Sequence, residues 1–146
     1  MTQFEHANIT VPNIDAATAF LLNAAPDFRI KADKTPDGAH RWAHIGNANC
    51  YFALQEPQEM SSSKDTRSPY QNIGINHIGL IVEDLDKIQP KLLALGYEQN
   101  GEIMQEKHGR RLYFYDKAHL PEWLLNPLQL VNLVALQFQH QYLNNV

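Results

Sequence analysis

Glu5-His6-Ala7-Asn8-Ile9-Thr10-Val11-Pro12-Asn13-Ile14-Asp15 is answered later in the chain by Asn76-His77-Ile78-Gly79-Leu80-Ile81-Val82-Glu83-Asp84-Leu85-Asp86. His77 follows His6 by 71 residues, and the same offset carries Leu21-Leu22 onto Leu92-Leu93 and Ala25 onto Gly96. Self-similarity at a fixed period marks a duplicated structural unit. Each copy opens with a histidine set in an apolar strand. Two histidines related by a pseudo-twofold axis can serve one central site.

Working outward from the first phrase, Ala7, Ile9 and Val11 alternate with His6, Asn8 and Thr10, the period of a half-buried strand. Pro12-Asn13 ends it, and Asp15 is the expected N-cap of a helix through Leu22 that Pro26-Asp27 terminates. Strands are expected from Phe28 to Lys31, Arg41 to Ile45 and Cys50 to Gln55. A turn at Thr35-Pro36-Asp37-Gly38 and a hairpin loop at Gly46-Asn47-Ala48-Asn49 separate them. The order is strand, helix, strand, strand, strand.

Residues 57–74 are rich in Ser, Gln and Pro and read as an exposed linker. The second copy then repeats the order. A strand at 75–82 precedes a helix from Asp86 to Leu95, which places Pro90 in the first turn. Gly96 stops that helix. Strands follow at Tyr97–Gln105 and Arg111–Asp116, and Leu128-Gln129-Leu130-Val131 is the expected fourth strand. The chain reads as one domain, with module one at 4–56, module two at 75–132 and an unassigned tail at 133–146.

The fold class is therefore α+β, two βαβββ modules forming a cup-shaped, barrel-like mixed sheet with the helices outside. Alternation assigns Ile9, Val11, Ile45, Phe52, Leu54, Ile78, Leu80, Leu112, Phe114, Leu128 and Leu130 to the helix-covered faces. The open faces take His6, Asn8, Thr10, Trp42, His44, Tyr51, Ala53, Gln55, His77, Gly79, Arg111, Tyr113, Tyr115 and Gln129. A polar and aromatic lining of this kind suits a small-molecule ligand. Trp42, His44, Tyr51, Arg111, Tyr113 and Tyr115 are the expected ligand-binding residues.

Composition narrows the function classes. The net charge of −4 and the absence of any basic run longer than Arg110-Arg111 argue against nucleic acid as a partner. The single cysteine, Cys50, excludes a disulfide framework within one chain and suits a reducing compartment. No signal-like segment and no apolar run long enough for a bilayer is present, so the expected location is the cytoplasm, away from membranes.

The doubled unit, opening with His-x-x-Ile/Leu-x-Val-x-Asp/Asn-Ile/Leu-Asp, resembles the vicinal oxygen chelate superfamily. That group holds glyoxalase I, fosfomycin and bleomycin resistance proteins and extradiol dioxygenases. Arg111-Leu112-Tyr113-Phe114-Tyr115-Asp116 is similar to the family's penultimate strand, and Asn126-Pro127-Leu128-Gln129-Leu130-Val131 to the run that often follows. The resemblance covers roughly Phe4 to Val131.

In metal-dependent members, a divalent ion is held by residues at the openings of the two first strands and in the two fourth strands. The resemblance implies His6 and His77 as ligands, and neutral imidazole suits Zn, Ni, Mn or Fe. The first-half carboxylate falls near Ala53 or Gln55. The last falls on Gln129, or on Leu124 if Glu122-Trp123 is aligned to the family's Glu-aromatic-Glu ending. The implied metal set is thus His6, His77, Gln55 and Gln129. Two amides in place of two carboxylates leave the ion's charge uncompensated and lower affinity. The family's glutamate base is also replaced, and Glu56 can substitute only if a bulge turns it inward. His44 is the other candidate recruit.

Two function classes follow. One is a glyoxalase/bleomycin-resistance-like protein binding a small organic molecule in the cup, as a metal-dependent lyase or isomerase. The other is a metal-free binding or sequestering protein in which the histidines and glutamines serve as hydrogen-bonding groups. Members of the family commonly form homodimers, and the linker allows modules to pair between chains.

Overall fold

The first module orders itself around β1 (His6–Thr10), α1 (Ile14–Ala24), β2 (Arg29–Lys34), β3 (Trp42–Gly46) and β4 (Tyr51–Gln55). The second repeats that order with β5 (His77–Ile81), α2 (Leu85–Ala94), β6 (Glu98–Glu106), β7 (Gly109–Tyr115) and β8 (Asn132–Phe138). A computed structural model of the chain describes residues 3–57, 77–107, 109–115 and 132–138, without the side chains of Tyr115 and 132–138. Two four-stranded mixed sheets result, in the orders β1-β4-β3-β2 and β5-β8-β7-β6. The chain divides into two compact units, one holding each sheet. The α+β class and the two βαβββ modules are as the duplication predicts.

In both modules the first strand pairs parallel with the last, and the remaining pairings are antiparallel. A parallel neighbour needs a crossover, and α1 and α2 begin those crossovers. Helix α1 starts where Asn13 Oδ1 accepts a 2.9 Å hydrogen bond from the Ala16 N–H. Asn13, not the expected Asp15, is the N-cap. Asp15 lies in the first turn, where a negative charge complements the helix dipole.

Ile14, Ala17, Phe20, Leu21 and Ala24 form the buried face of α1, at helical spacing. They share a core with Ala43, Ile45, Phe52 and Leu54 of the sheet, all buried. Each fully buried branched or aromatic side chain contributes about 1.5–3 kcal/mol of transfer free energy. Leu85, Ile88, Leu92, Leu112 and Phe114 do the same in the second module.

Helix α2 is capped by Asp84, whose Oδ1 accepts from the Asp86 and Lys87 N–H groups. The helix therefore begins at Leu85, and Pro90 lies in its interior rather than its first turn. Its ring sits on an exposed position, so the misfit is one missing hydrogen bond on the outer face. Gly96, at φ 84°, ends the helix, with the Tyr97 N–H donating back to the Leu92 carbonyl at 3.0 Å.

The last strand requires a correction. Asn132–Phe138, which lies but for Asn132 in the stretch read as an unassigned tail, pairs with both β5 and β7. The apolar run Leu133-Val134-Ala135-Leu136 satisfies the parallel, two-sided neighbourhood of a central strand. The expected strand at Leu128–Val131 lies outside the described residues, as does the linker beyond Pro57.

Candidate ligand-binding face

Register places the open-face residues of the first sheet in three rows across the strands. His6, Tyr51 and Gly46 form the first, Asn8, Ala53, His44 and Ala32 the second, and Thr10, Gln55, Trp42 and Lys34 the third. Alternation thus puts His6, Trp42, His44, Tyr51 and Gln55 on one surface, as the sequence predicts. Their burial differs from that of the other face, where Ala43, Ile45, Phe52 and Leu54 are buried while Trp42, His44, Tyr51 and Gln55 stay half-buried. Ala53 is buried although it shares the open face, because it is small and lies between larger neighbours.

The rings of that surface form a continuous row. His6 stacks on Tyr51 with centroids 5.0 Å apart and planes at 14°. His44 lies 4.7 Å from Tyr51, and Trp42 lies 4.8 Å from His44. Strand β4 runs between β1 and β3, so Tyr51 stands between the two imidazoles. The two strands that carry them are about 9–10 Å apart.

Two lysines, missed in the sequence, cover this row. Lys31 Nζ lies 4.9 Å from the Tyr51 ring centroid and donates to the Asn47 carbonyl at 3.2 Å. Lys34 Nζ lies 5.8 Å from the Trp42 centroid. Cations over aromatic faces are attracted by the ring quadrupole. The signal was present in Arg29-Ile30-Lys31-Ala32-Asp33-Lys34, but the β-bulge between Ile30 and Ala32 hides which face Lys31 takes.

Glu5 was also missed. Its carboxylate contacts Nδ1 of His6. The hydrogen bond from His6 holds the Glu5 carboxyl below the usual range, with Tyr51 and the Lys31 charge adding to the effect. The Tyr51 phenol is pushed up, by desolvation first and then by the Glu5 charge. A carboxylate directly before a strand histidine is a readable signal, although alternation alone assigns it to the other face.

Gln55 is not brought beside His6. It pairs in register with Thr10, four positions along from Tyr51, which is about 13 Å of strand. Its Nε2 donates to Thr10 Oγ1 at 3.3 Å. Glu56 points the other way, since its Oε1 accepts the Ile14 N–H at 2.9 Å and so holds the start of α1. No bulge turns it onto the open face.

In the second module, His77 and Asn132 share one register position. Gly79, Val134, Tyr113 and Asn100 form the next row, and Ile81, Leu136, Arg111 and Met104 the row after. The His77 ring meets Tyr113 edge-on, 6.2 Å between centroids. Arg111 is half-buried and pairs with Glu106 at 2.9 Å, while Nη1 donates to the Tyr113 hydroxyl at 3.4 Å. Its Nε is shielded from solvent and has no partner among the described residues. Adjacent Arg110 reaches the opposite side and grips Asp86 with two hydrogen bonds of 2.8 Å. Gln129 and the Tyr115 side chain lie outside the described residues.

The residues beside the two histidines on the neighbouring strands are thus Tyr51 and Asn132, not carboxylates. Among the described residues, no three His, Cys, Asp or Glu side chains gather closely enough to hold a metal ion. In the aromatic row of the first module the donors are two imidazoles, His6 and His44, and the Glu5 carboxylate that His6 already engages. That is short of the four ligands a zinc site uses.

No protein-family model and no curated sequence matches the chain. Solved structures do. A glyoxylase/bleomycin resistance protein/dioxygenase domain from Frankia sp. EAN1pec superposes with a TM-score of 0.67 at 18% identity, over 95% of this chain and 99% of that one. A glyoxalase family protein from Bacillus cereus reaches 0.69 at 15% identity, over 94% and 95%. A mutant of the fosfomycin resistance protein FosX from Listeria monocytogenes, complexed with Mn(II) and 1S,2S-dihydroxypropylphosphonic acid, reaches 0.65 at 16% identity, over 99% of both chains. The repeated βαβββ topology and these superpositions show that the chain shares the fold of these glyoxalase and bleomycin-resistance domain structures.

Proposed function

We propose that the chain is a glyoxalase/bleomycin-resistance-like protein that binds a small organic molecule on the open face of its first sheet. The continuous row His6–Tyr51–His44–Trp42 carries this reading. Four rings packed on one another form a rigid, partly exposed platform that costs little side-chain entropy on binding. Ring edges, a phenol, an indole N–H and the lysine ammoniums then supply the polar groups that orient a ligand. The histidines and Gln55 act as hydrogen-bonding groups.

The test is a titration with benzoate, inorganic phosphate and S-methylglutathione, followed by thermal shift and by amide chemical shifts. A probe that binds here weakens at least tenfold in Trp42→Ala and in Tyr51→Ala. Unchanged affinity in both variants places the ligand elsewhere and ends this reading.

A second reading, a divalent-metal-dependent lyase or isomerase with His6 and His77 as ligands, draws support from the Mn(II) complex of FosX. It also rests on histidines at matching positions of both modules. Elemental analysis of untagged protein, with Zn(II), Ni(II) and Mn(II) titrations, tests it. Stoichiometric metal lost in both His6→Ala and His77→Ala supports it, and metal content indifferent to both removes it. The proposal includes a homodimer, to be measured by light scattering. Among the described residues no helix is long and apolar enough to cross a membrane.

A further inference from the structure

We infer that Glu5 is a positioning residue for His6: its carboxylate accepts a hydrogen bond from the Nδ1–H and leaves the unprotonated Nε2 as the nitrogen His6 presents to a ligand. The inference rests on the reading that His6 belongs to the binding face. Its grounds are geometric. Glu5 contacts Nδ1, and the Tyr51 ring lies against the imidazole at 14° between planes.

Two constraints therefore act on one ring. The carboxylate selects the tautomer, since a carboxylate only accepts and so requires a proton on Nδ1. The stack on Tyr51 fixes the ring plane. An unassisted neutral imidazole favours its proton on Nε2, so the arrangement reverses the usual choice. A nitrogen whose ring partner donates to a carboxylate is also the better hydrogen-bond acceptor and metal ligand. The acid belongs to the first module alone, because the residue 71 positions on, before His77, is Asn76. The two histidines of the repeated phrase are thus chemically different despite their equivalent places.

The tautomer can be read directly. Two-bond proton–nitrogen correlation spectra of nitrogen-15-labelled full-length protein, at a pH where imidazole is neutral, are expected to show His6 with Nδ1 protonated. In Glu5→Gln the proton should move mainly to Nε2, and Glu5→Asp should restore part of the original population. Backbone amide spectra control for folding, and the exposed position of Glu5 makes a fold-wide change unexpected. A wild-type His6 protonated on Nε2, or a tautomer population unchanged in Glu5→Gln, overturns the assignment.

Zn(II) serves as a second probe of the presented nitrogen. A roughly 10–100-fold loss of Zn(II) affinity in Glu5→Gln is expected, the size usual for a carboxylate behind a ligating histidine. Zn(II) affinity unchanged in His6→Ala removes His6 as a metal ligand, while the tautomer measurement alone decides what Glu5 does.

Discussion

The imidazole of His6 lies nearly parallel to the phenol ring of Tyr51, with 14° between planes and 5.0 Å between centroids. The two residues share a register position on parallel strands β1 and β4, so the stack joins the first strand of the module to its last. Lys31 adds a cation at 4.9 Å from the same phenol ring. Tyr51→Leu removes these contacts and the one with His44, and should cost about 1–2 kcal/mol. Tyr51→Phe keeps the ring and should cost much less. Urea unfolding of both variants checks this, and equal losses would show that the ring contacts contribute nothing.

Arg41 holds two carboxylates at once. Its Nε and Nη2 donate to Asp33 at 3.0 and 2.7 Å, and Nη2 also reaches Asp15 at 2.7 Å. It thereby ties the first turn of α1 to β2. Hydrogen bonds from Arg41 hold both Asp carboxyls below their ordinary range. A carboxyl with a depressed folded pKa adds stability above its unfolded pKa, near 3.9, and that stability is lost as pH falls through the folded value. Stability should therefore drop from about pH 5 downward. Arg41→Gln should be less stable than the parent at neutral pH, and the gap should close in acid. A gap constant from pH 7 to 3 would sink this account. The carboxylates are largely exposed, so the gap should be modest.

Much of this architecture was legible in the sequence, for reasons that also explain the failures. Strand positions with strict alternation, such as Trp42-Ala43-His44-Ile45 and Leu112-Tyr113-Phe114, declare their faces because the two sides have different solvents. The helix starts were legible only to within a residue or two. Asn13 and Asp15 are both good caps, and only the backbone shows which side chain accepts the Ala16 N–H. The last strand was misplaced because Leu128-Gln129-Leu130-Val131 alternates while Leu133-Val134-Ala135-Leu136 does not. A short, unbroken apolar run paired with a neighbour on each edge cannot be read from its period. At the candidate site, ring residues were found by face. Glu5, Lys31 and the real task of Glu56 were not, because side-chain direction at strand ends and bulges is set by local backbone and not by period.

Pro90 sits inside α2, five residues after its start, on an exposed position. It offers no N–H to the Asp86 carbonyl, one turn earlier. Pro90→Ala restores that donor and a good helix former. The gain has a ceiling of about 3 kcal/mol, the interior cost of proline relative to alanine. It is offset by about 0.4–1 kcal/mol from the freer unfolded chain. These two scales leave a net stabilisation of at most about 2–2.6 kcal/mol. Thermal and urea unfolding measure it. A destabilised Pro90→Ala would mean that the proline ring makes packing contacts worth more than the missing hydrogen bond.

Gly46 ends β3 opposite Tyr51, in the register row that carries the His6 stack. A Cβ there would come within 2.2 Å of the Cys50 carbonyl oxygen and 2.5 Å of Tyr51 Cα and Cβ. Two of these atoms are backbone, so no side-chain rotation relieves the clash. The loop cannot yield easily either. The Asn47 N–H donates to the Cys50 carbonyl at 3.0 Å, and Asn47 Oδ1 accepts from the Asn49 and Cys50 N–H groups. Gly46→Ala must therefore part β3 from β4 at the hairpin and shift Tyr51 with it. Overpacking of this kind costs about 1–3 kcal/mol. The same variant should move the ring resonances of His6 and His44, which both pack on Tyr51, while leaving those of His77 in place. A stable Gly46→Ala with unshifted His6 and His44 signals would show that the hairpin can open there without disturbing the aromatic row.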